Sequence, residues 1–366
     1  MIKFNSMIAI ALVAITFTAC KKDTNEPIVV VPPSDGSTLT LNGLIASELG
    51  SAAGNSVYVD FSRDKQTSVA RASWDLGFYC GADFRVILNN TTSAGAKVMT
   101  TANASLATVN EADTLGLTLA VSQADPAPSH FAFFDAIDGN LSNTVIPAIS
   151  ATAADNKVII LNRGTGGGIA AKSWIKLKVT RNGSGGYTLQ YGKIKETTNF
   201  TTVDVPKDAN FNFKFVSLTN GTVVSAEPEK TNWDLVWTYS VYQTTFGSTL
   251  VPYNFSDLVF INKLAGVTAA VVSASTKSYA AFGESDLSGS ITFSSARDVI
   301  GSNWRLTQPV TTNGVTAPIG VKADTFFLVK DASGNIYKLK FNSFISNDGG
   351  TRGKPVIEYK LLKKGQ

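Results

Sequence analysis

The sequence predicts an all-β protein, mainly antiparallel sheet with few short helices, and three observations carry that reading. Apolar residues alternate with polar ones along short runs, such as Val57, Val59 and Phe61 or Phe211, Phe213 and Phe215, which is the period of a half-buried strand. Turns rich in Gly and Asn separate those runs, as in Arg181-Asn182-Gly183-Ser184-Gly185-Gly186 and Asp331-Ala332-Ser333-Gly334-Asn335, where a tight turn needs the positive φ that these residues tolerate. Helical periodicity is weak throughout.

The chain opens with a segment to be set aside from the fold. Residues 1–19 read as a secretory signal: Lys3 supplies the positive start, and Met7 to Phe17 form an apolar stretch too short to span a bilayer. Phe17-Thr18-Ala19-Cys20 resembles a bacterial lipobox, so cleavage before Cys20 and lipidation of its thiol are expected. Residues 20–37 contain Lys21-Lys22-Asp23 and Pro32-Pro33-Ser34, and read as a flexible polar tether with no apolar face to bury.

A block used twice organises the remainder. Ser73-Trp74-Asp75-Leu76-Gly77-Phe78 returns as Asn232-Trp233-Asp234-Leu235-Val236-Trp237. Each copy follows an alternating apolar run, Val57–Phe61 and then Phe211–Phe215, so each reads as one hairpin with the run before it. The closing segments repeat as well: Trp174 to Val179 and Tyr187 to Tyr191 flank one Gly/Asn turn, and Phe326 to Val329 and Ile336 to Phe341 flank another. Two tandem domains are therefore expected, residues 38–205 and 206–366, each of about 160 residues and so large enough to bury a core of its own.

The Trp-Asp-Leu hairpin, the segment from Phe326 to Phe341 and the lipoprotein leader together resemble the HmuY-like haem-binding lipoproteins of Bacteroidetes, here in two copies. That resemblance implies a non-catalytic β protein, exported to the outer membrane or cell surface, that takes haem or a related porphyrin and passes it to a TonB-dependent receptor. It also implies two axial side chains on the haem iron, commonly a histidine pair. This chain has one histidine. His130 falls near the first ligand position and Arg163 near the second, where a permanently protonated guanidinium cannot ligate iron. The corresponding stretches of the second half offer Tyr279, as a phenolate, and Gln308, a poor ligand. Met99 is chemically sound opposite an imidazole. Arg163 reads either as a partner for a haem propionate or as a solvated turn residue. The other function class left open is a surface adhesion or glycan- or protein-binding lipoprotein that has lost haem binding.

Other signals are weaker. Gly166-Gly167-Gly168-Ile169-Ala170-Ala171-Lys172-Ser173 nearly imitates a phosphate-binding loop, but Ala171 replaces the glycine before the lysine, and a flexible surface loop is expected. No nucleophile elbow or zinc-ligand spacing is present, and one histidine limits acid–base chemistry, so no enzyme is expected. Asp75 and Asp234 recur after each tryptophan and read as a structural hydrogen bond repeated by duplication. Trp74 and Trp233 read as core, while Trp174 and Trp304 are not equivalent to one another, which leaves room for one of them at the surface. The formal charge of +4 over 366 residues gives no basic face for nucleic acid. With Cys20 lipidated, Cys80 has no partner for a disulfide.

Overall fold

The architecture is given by a computed structural model that describes residues 32–101, 104–287 and 291–365. The signal segment and Cys20 lie outside the described residues. Residues 33–366 cluster as one compact unit, built from antiparallel sheets and short 3-10 turns.

Two sheets form an inner module. One has the order β12 (Thr222–Val224), β11 (Phe213–Ser217), β4 (Leu76–Tyr79), β5 (Val86–Leu88). The other has the order β10 (Thr201–Val205), β9 (Tyr187–Lys193), β8 (Ile175–Arg181), β7 (Ile159–Asn162), β6 (Gly95–Val98). Leu76, Phe78 and Val216 from the first pack on Leu161, Leu177 and Leu189 from the second in one buried core.

Two further sheets form an outer module around a second core. The order in one is β14 (Thr249–Ile261), β13 (Leu235–Phe246), β2 (Asn55–Asp60), β3 (Lys65–Ala70). In the other it is β1 (Gly36–Thr40), β22 (Val356–Lys363), β21 (Ile336–Ser343), β20 (Thr325–Lys330), β15 (Thr268–Ser273). Val57, Val59, Leu235 and Trp237 meet Phe327, Leu339 and Tyr359 there. Two small hairpin-like pairs, β16 (Arg305–Leu306) with β19 (Gly320–Val321) and β17 (Val310–Thr312) with β18 (Val315–Ala317), complete the strands.

The expected division at 205/206 does not follow the strand pairing. The Trp74 block enters β4, which pairs with β11 of the later half, from Leu76 opposite Val216 to Tyr79 opposite Phe213. The Trp233 block enters β13, which pairs with β2 of the earlier half, Leu235 opposite Val59 and Trp237 opposite Val57. Each tryptophan block thus pairs with the alternating run of the other half rather than the run before it. The inner module, spanning β4 to β12, is inserted in sequence between β3 and β13 of the outer one. Alternation marks which residues share a face of a strand but carries no information about which strand lies beside it.

Two other expectations change at the edges. The expected tether, 20–37, lies outside the described residues up to residue 31, and its end is not free: Ser34 N donates to Ser62 O at 2.9 Å, and β1 begins at Gly36 and pairs with β22. A Cβ on Gly36, whose φ is +131°, would lie 2.3 Å from the Tyr359 carbonyl oxygen, so glycine is what lets β1 approach. The run Gly166–Gly168 is a 3-10 turn with Gly166 buried, not a free loop. Its carbonyls receive Arg71, a fully buried side chain whose guanidinium also donates to Ala52, Ala53 and Thr91 oxygens. Arg71 precedes β4 and so fastens the crossing from outer to inner module.

Candidate functional site

The two aspartates that follow the tryptophans make matching hydrogen bonds. Asp75 N donates to Val216 O at 2.9 Å, and its Oδ2 accepts from Leu218 N at 2.8 Å. Asp234 N donates to Val59 O at 2.7 Å, and its Oδ2 accepts from Phe61 N at 2.8 Å. An asparagine follows each: Asn89 Nδ2 donates to the Arg71 and Trp74 carbonyls, and Asn262 Nδ2 to those of Lys230 and Trp233. The aspartate closes the end of the strand pair and the asparagine holds the turn before the tryptophan, satisfying backbone groups that burial would otherwise leave unpaired. Both carboxyls are structural, as the repeat implied.

The copies differ in charge. Arg163 donates to Asp75 through Nε at 2.8 Å and Nη2 at 2.7 Å, and Lys172 lies 3.6 Å away. Arg163 is 6 % exposed, so the reading as a solvated turn residue or propionate partner is corrected: its fork is spent on Asp75, a bidentate pair in a dry site. Asp234 has no such cation, and burial pushes its carboxyl up to about 8, leaving it protonated at neutral pH.

The haem-ligand candidates are held by different partners. Met99 is 6 % exposed in a small cluster with Leu106, Val109 and Ile160. His130 is half-buried in the 3-10 segment Pro128–Phe133, its ring stacked on Phe133 at 5.9 Å and its Nδ1 accepting from Ala127 N at 3.4 Å. Phe133 touches both the imidazole and the cluster that holds Met99. Tyr279 belongs to another cluster in the outer module. Its hydroxyl donates toward the Lys338 and Glu358 carbonyls, and burial raises its pKa above the ordinary tyrosine value, which disfavours the phenolate that iron would need. Gln308 is exposed. No described residue supplies a second imidazole, and no group of three or more His, Cys, Asp or Glu that could hold a metal occurs among the described residues. Neither of the other tryptophans left open is fully exposed: Trp304 is 1 % exposed and stacks on Phe341 at 4.1 Å, and Trp174 is half-buried.

The geometry assembles a different site, which sequence reasoning missed. A cleft of about 170 Å³ lies where the outward face of the β4–β11 sheet meets that of the β2–β13 sheet. Trp74, Phe213 and Phe215 line one wall, and Tyr58, Trp233 and Phe260 the other. Trp74 meets Phe215 edge to face at 4.7 Å, and Trp233 meets Tyr58 in the same way at 5.0 Å. The repeated tryptophans are therefore buried, as expected, but each packs on the face of its sheet turned away from its module's main core.

Titratable groups enter this aromatic space. Glu227 is 9 % exposed, its Oε1 accepts from Phe213 N at 3.3 Å, and burial pushes its carboxyl up to about 8. Asp135 accepts from Leu88 N and Val145 N, and burial raises it to about 6. At the far end Arg297 lies over Phe260 at 4.1 Å, and Lys263 donates to Asp138 O at 3.2 Å. The signal for this site was the repeat itself, since bulky residues at matching positions of two sheets can face one another, but only the partner exchange brings them together.

A protein family described as HmuY protein matches residues 52–359, most of the chain and a span that runs through both modules. No curated protein and no solved structure matches the chain.

Proposed function

Since the chain belongs to the HmuY family, a haem-binding and non-enzymatic family, we propose that it is a carrier of haem or a related porphyrin, exported to the outer membrane or cell surface, anchored through Cys20 and delivering to a TonB-dependent receptor. The observation that carries the reading is the family match from residue 52 to residue 359, which runs through both modules. His130 is the chain's one imidazole, half-buried on a surface 3-10 segment among phenylalanines, and supports attachment of iron at one axial position. A second axial residue does not fit: Arg163 is held by Asp75, Met99 is sealed in its cluster, and Tyr279 is committed to backbone. The bound state expected of a monomer is therefore five-coordinate, because a bis-histidine centre would need a second molecule.

Titrating haemin into the mature protein tests this. A red-shifted Soret band that saturates at one haem per chain, and disappears in His130→Ala, is the expected result. An identical titration in His130→Ala overturns the ligand assignment. No binding at all favours the second reading, a surface lipoprotein that grips a glycan or protein. That alternative draws support from Phe246, which is 54 % exposed at the end of β13, and Val315, 73 % exposed in β18. Anchoring is tested apart from ligand: Cys20→Ser is expected to release the protein from membranes, and its retention there would place the anchor elsewhere.

A further inference from the structure

Glu227 presents a question that the haem reading does not answer. A carboxyl with nine tenths of its surface buried is costly to ionise unless a cation lies beside it, and none of the ion pairs among the described residues includes it. It lines the cleft with Tyr58, Trp74, Phe213, Phe215 and Trp233. Its interaction with Tyr58 is felt in that phenol, whose pKa is raised chiefly by burial and then by Glu227. The indole N–H of Trp233 is buried and has no partner. An acid without a counter-ion, set among aromatic faces that attract positive charge, has the composition of a site for an organic cation.

We propose that the cleft between the two tryptophan-bearing sheets binds a small organic ammonium, quaternary or alkylated, with aromatic faces against its methyl groups and the Glu227 carboxylate as counter-ion. Size supports this class. A cavity of about 150 Å³ holds a single benzene-sized molecule, so about 170 Å³ admits one ammonium head. His130 does not line the cleft, so the haem reading makes no use of it. Chemistry argues against a sugar: Asn262, Asn140 and Asp135, which border the cleft, already spend polar atoms on backbone groups, leaving few for a ring of hydroxyls. Cations at the cleft do not preclude the assignment, since Arg297 interacts with Asp298, Asp138 and Asp135, and Lys263 donates outward to Asp138 O.

The other role open to Glu227 is to serve, protonated, as an acceptor for Phe213 N. Glutamine preserves that acceptor and removes the charge, so the two roles separate. Calorimetry on the mature protein would use tetramethylammonium and choline, with 3,3-dimethylbutanol as the uncharged counterpart of choline. Choline is expected to bind at least tenfold more tightly than the alcohol. Glu227→Gln should melt no lower than the wild type at neutral pH, since the amide is spared the cost of holding a proton there, and lose cation binding at least tenfold. Because the free carboxyl is protonated at neutral pH, binding should release up to one proton, read as a heat that varies with buffer ionisation enthalpy, and Glu227→Gln should release none. Tyr58, Asp135, Lys263 and Arg297 are the other titratable groups at the cleft, and their contribution is what remains in that variant. Leu141→Trp, at the half-buried lip, provides a second variant that fills the space without touching the carboxyl, and should abolish binding. Failure of both cations to bind, equal affinity for the alcohol, or undiminished affinity in Glu227→Gln and Leu141→Trp would overturn the proposal. Haemin titration reads none of these outcomes.

Discussion

Asp75 and Asp234 occupy matching seats in two hairpin closures, yet only Asp75 has an arginine paired with it. The Arg163–Asp75 pair is buried at 6 % and 3 % exposure. Removing one member of such a pair leaves a dry charge uncompensated, so Arg163→Ala is expected to cost about 3–5 kcal/mol in a urea titration. Asp234→Asn is expected to cost less than about 1.5 kcal/mol, because its carboxyl is already neutral at pH 7 and the amide keeps an acceptor for Phe61 N. Equal losses in the two variants would mean that the copies are not electrostatically distinct. The same groups set a pH dependence. Burial raises Glu227 from 4.5 and Asp234 from 3.8, each to about 8, so between those limits the folded chain holds protons that the unfolded chain has lost. Their contribution is fully present below about pH 4 and is lost as pH rises to about 8, at up to about 1.4 kcal/mol per pH unit for each group. Stability should therefore fall between pH 5 and pH 8, and Glu227→Gln should flatten that slope; a rise over the same interval would contradict the assignment.

At the scale of elements, strands were legible and neighbours were not. The runs at Val57–Phe61 and Phe326–Phe341 became strands because their alternation matches the pleat, and the Gly183 and Gly334 turns joined the hairpins they were expected to join. Partner choice between β2, β4, β11 and β13 depends on contacts more than 130 residues apart, such as Leu218 with Asp75 and Phe61 with Asp234, which no local pattern records. Arg163 and the glycines at 166–168 were misread for a related reason: both looked like turn residues, and both serve distant partners, Asp75 and Arg71. The candidate ligands were found by position along a family pattern, whereas the cleft needed the exchanged pairing to exist. Strand β1 is the remaining surprise, since its polar sequence resembles a tether but its edge completes the sheet at β22. Gly36→Val should displace it, because the new Cβ meets the Tyr359 carbonyl. Hydrogen exchange at Leu361, whose N–H donates to Asp35 O at 3.0 Å, should accelerate in that variant, and unchanged protection would show that β1 docks without the close approach.

For the whole molecule, one module is nested in the other: the chain lays down three strands of the outer module, completes the inner one, and returns. This arrangement puts the two tryptophan faces opposite each other and makes the cleft a property of neither copy alone. It also dictates which pieces carry a complete core. Residues 71–227 contain all nine strands from β4 to β12 and the whole Leu76–Leu218 cluster. Residues 38–205 lack β11 and β12 and carry β2 and β3 without β13. The most direct measurement is urea unfolding of these two fragments, followed by circular dichroism. The nested account predicts one cooperative transition for 71–227 and none for 38–205. A cooperative transition for 38–205, with 71–227 unfolded, would contradict it and restore two domains in tandem.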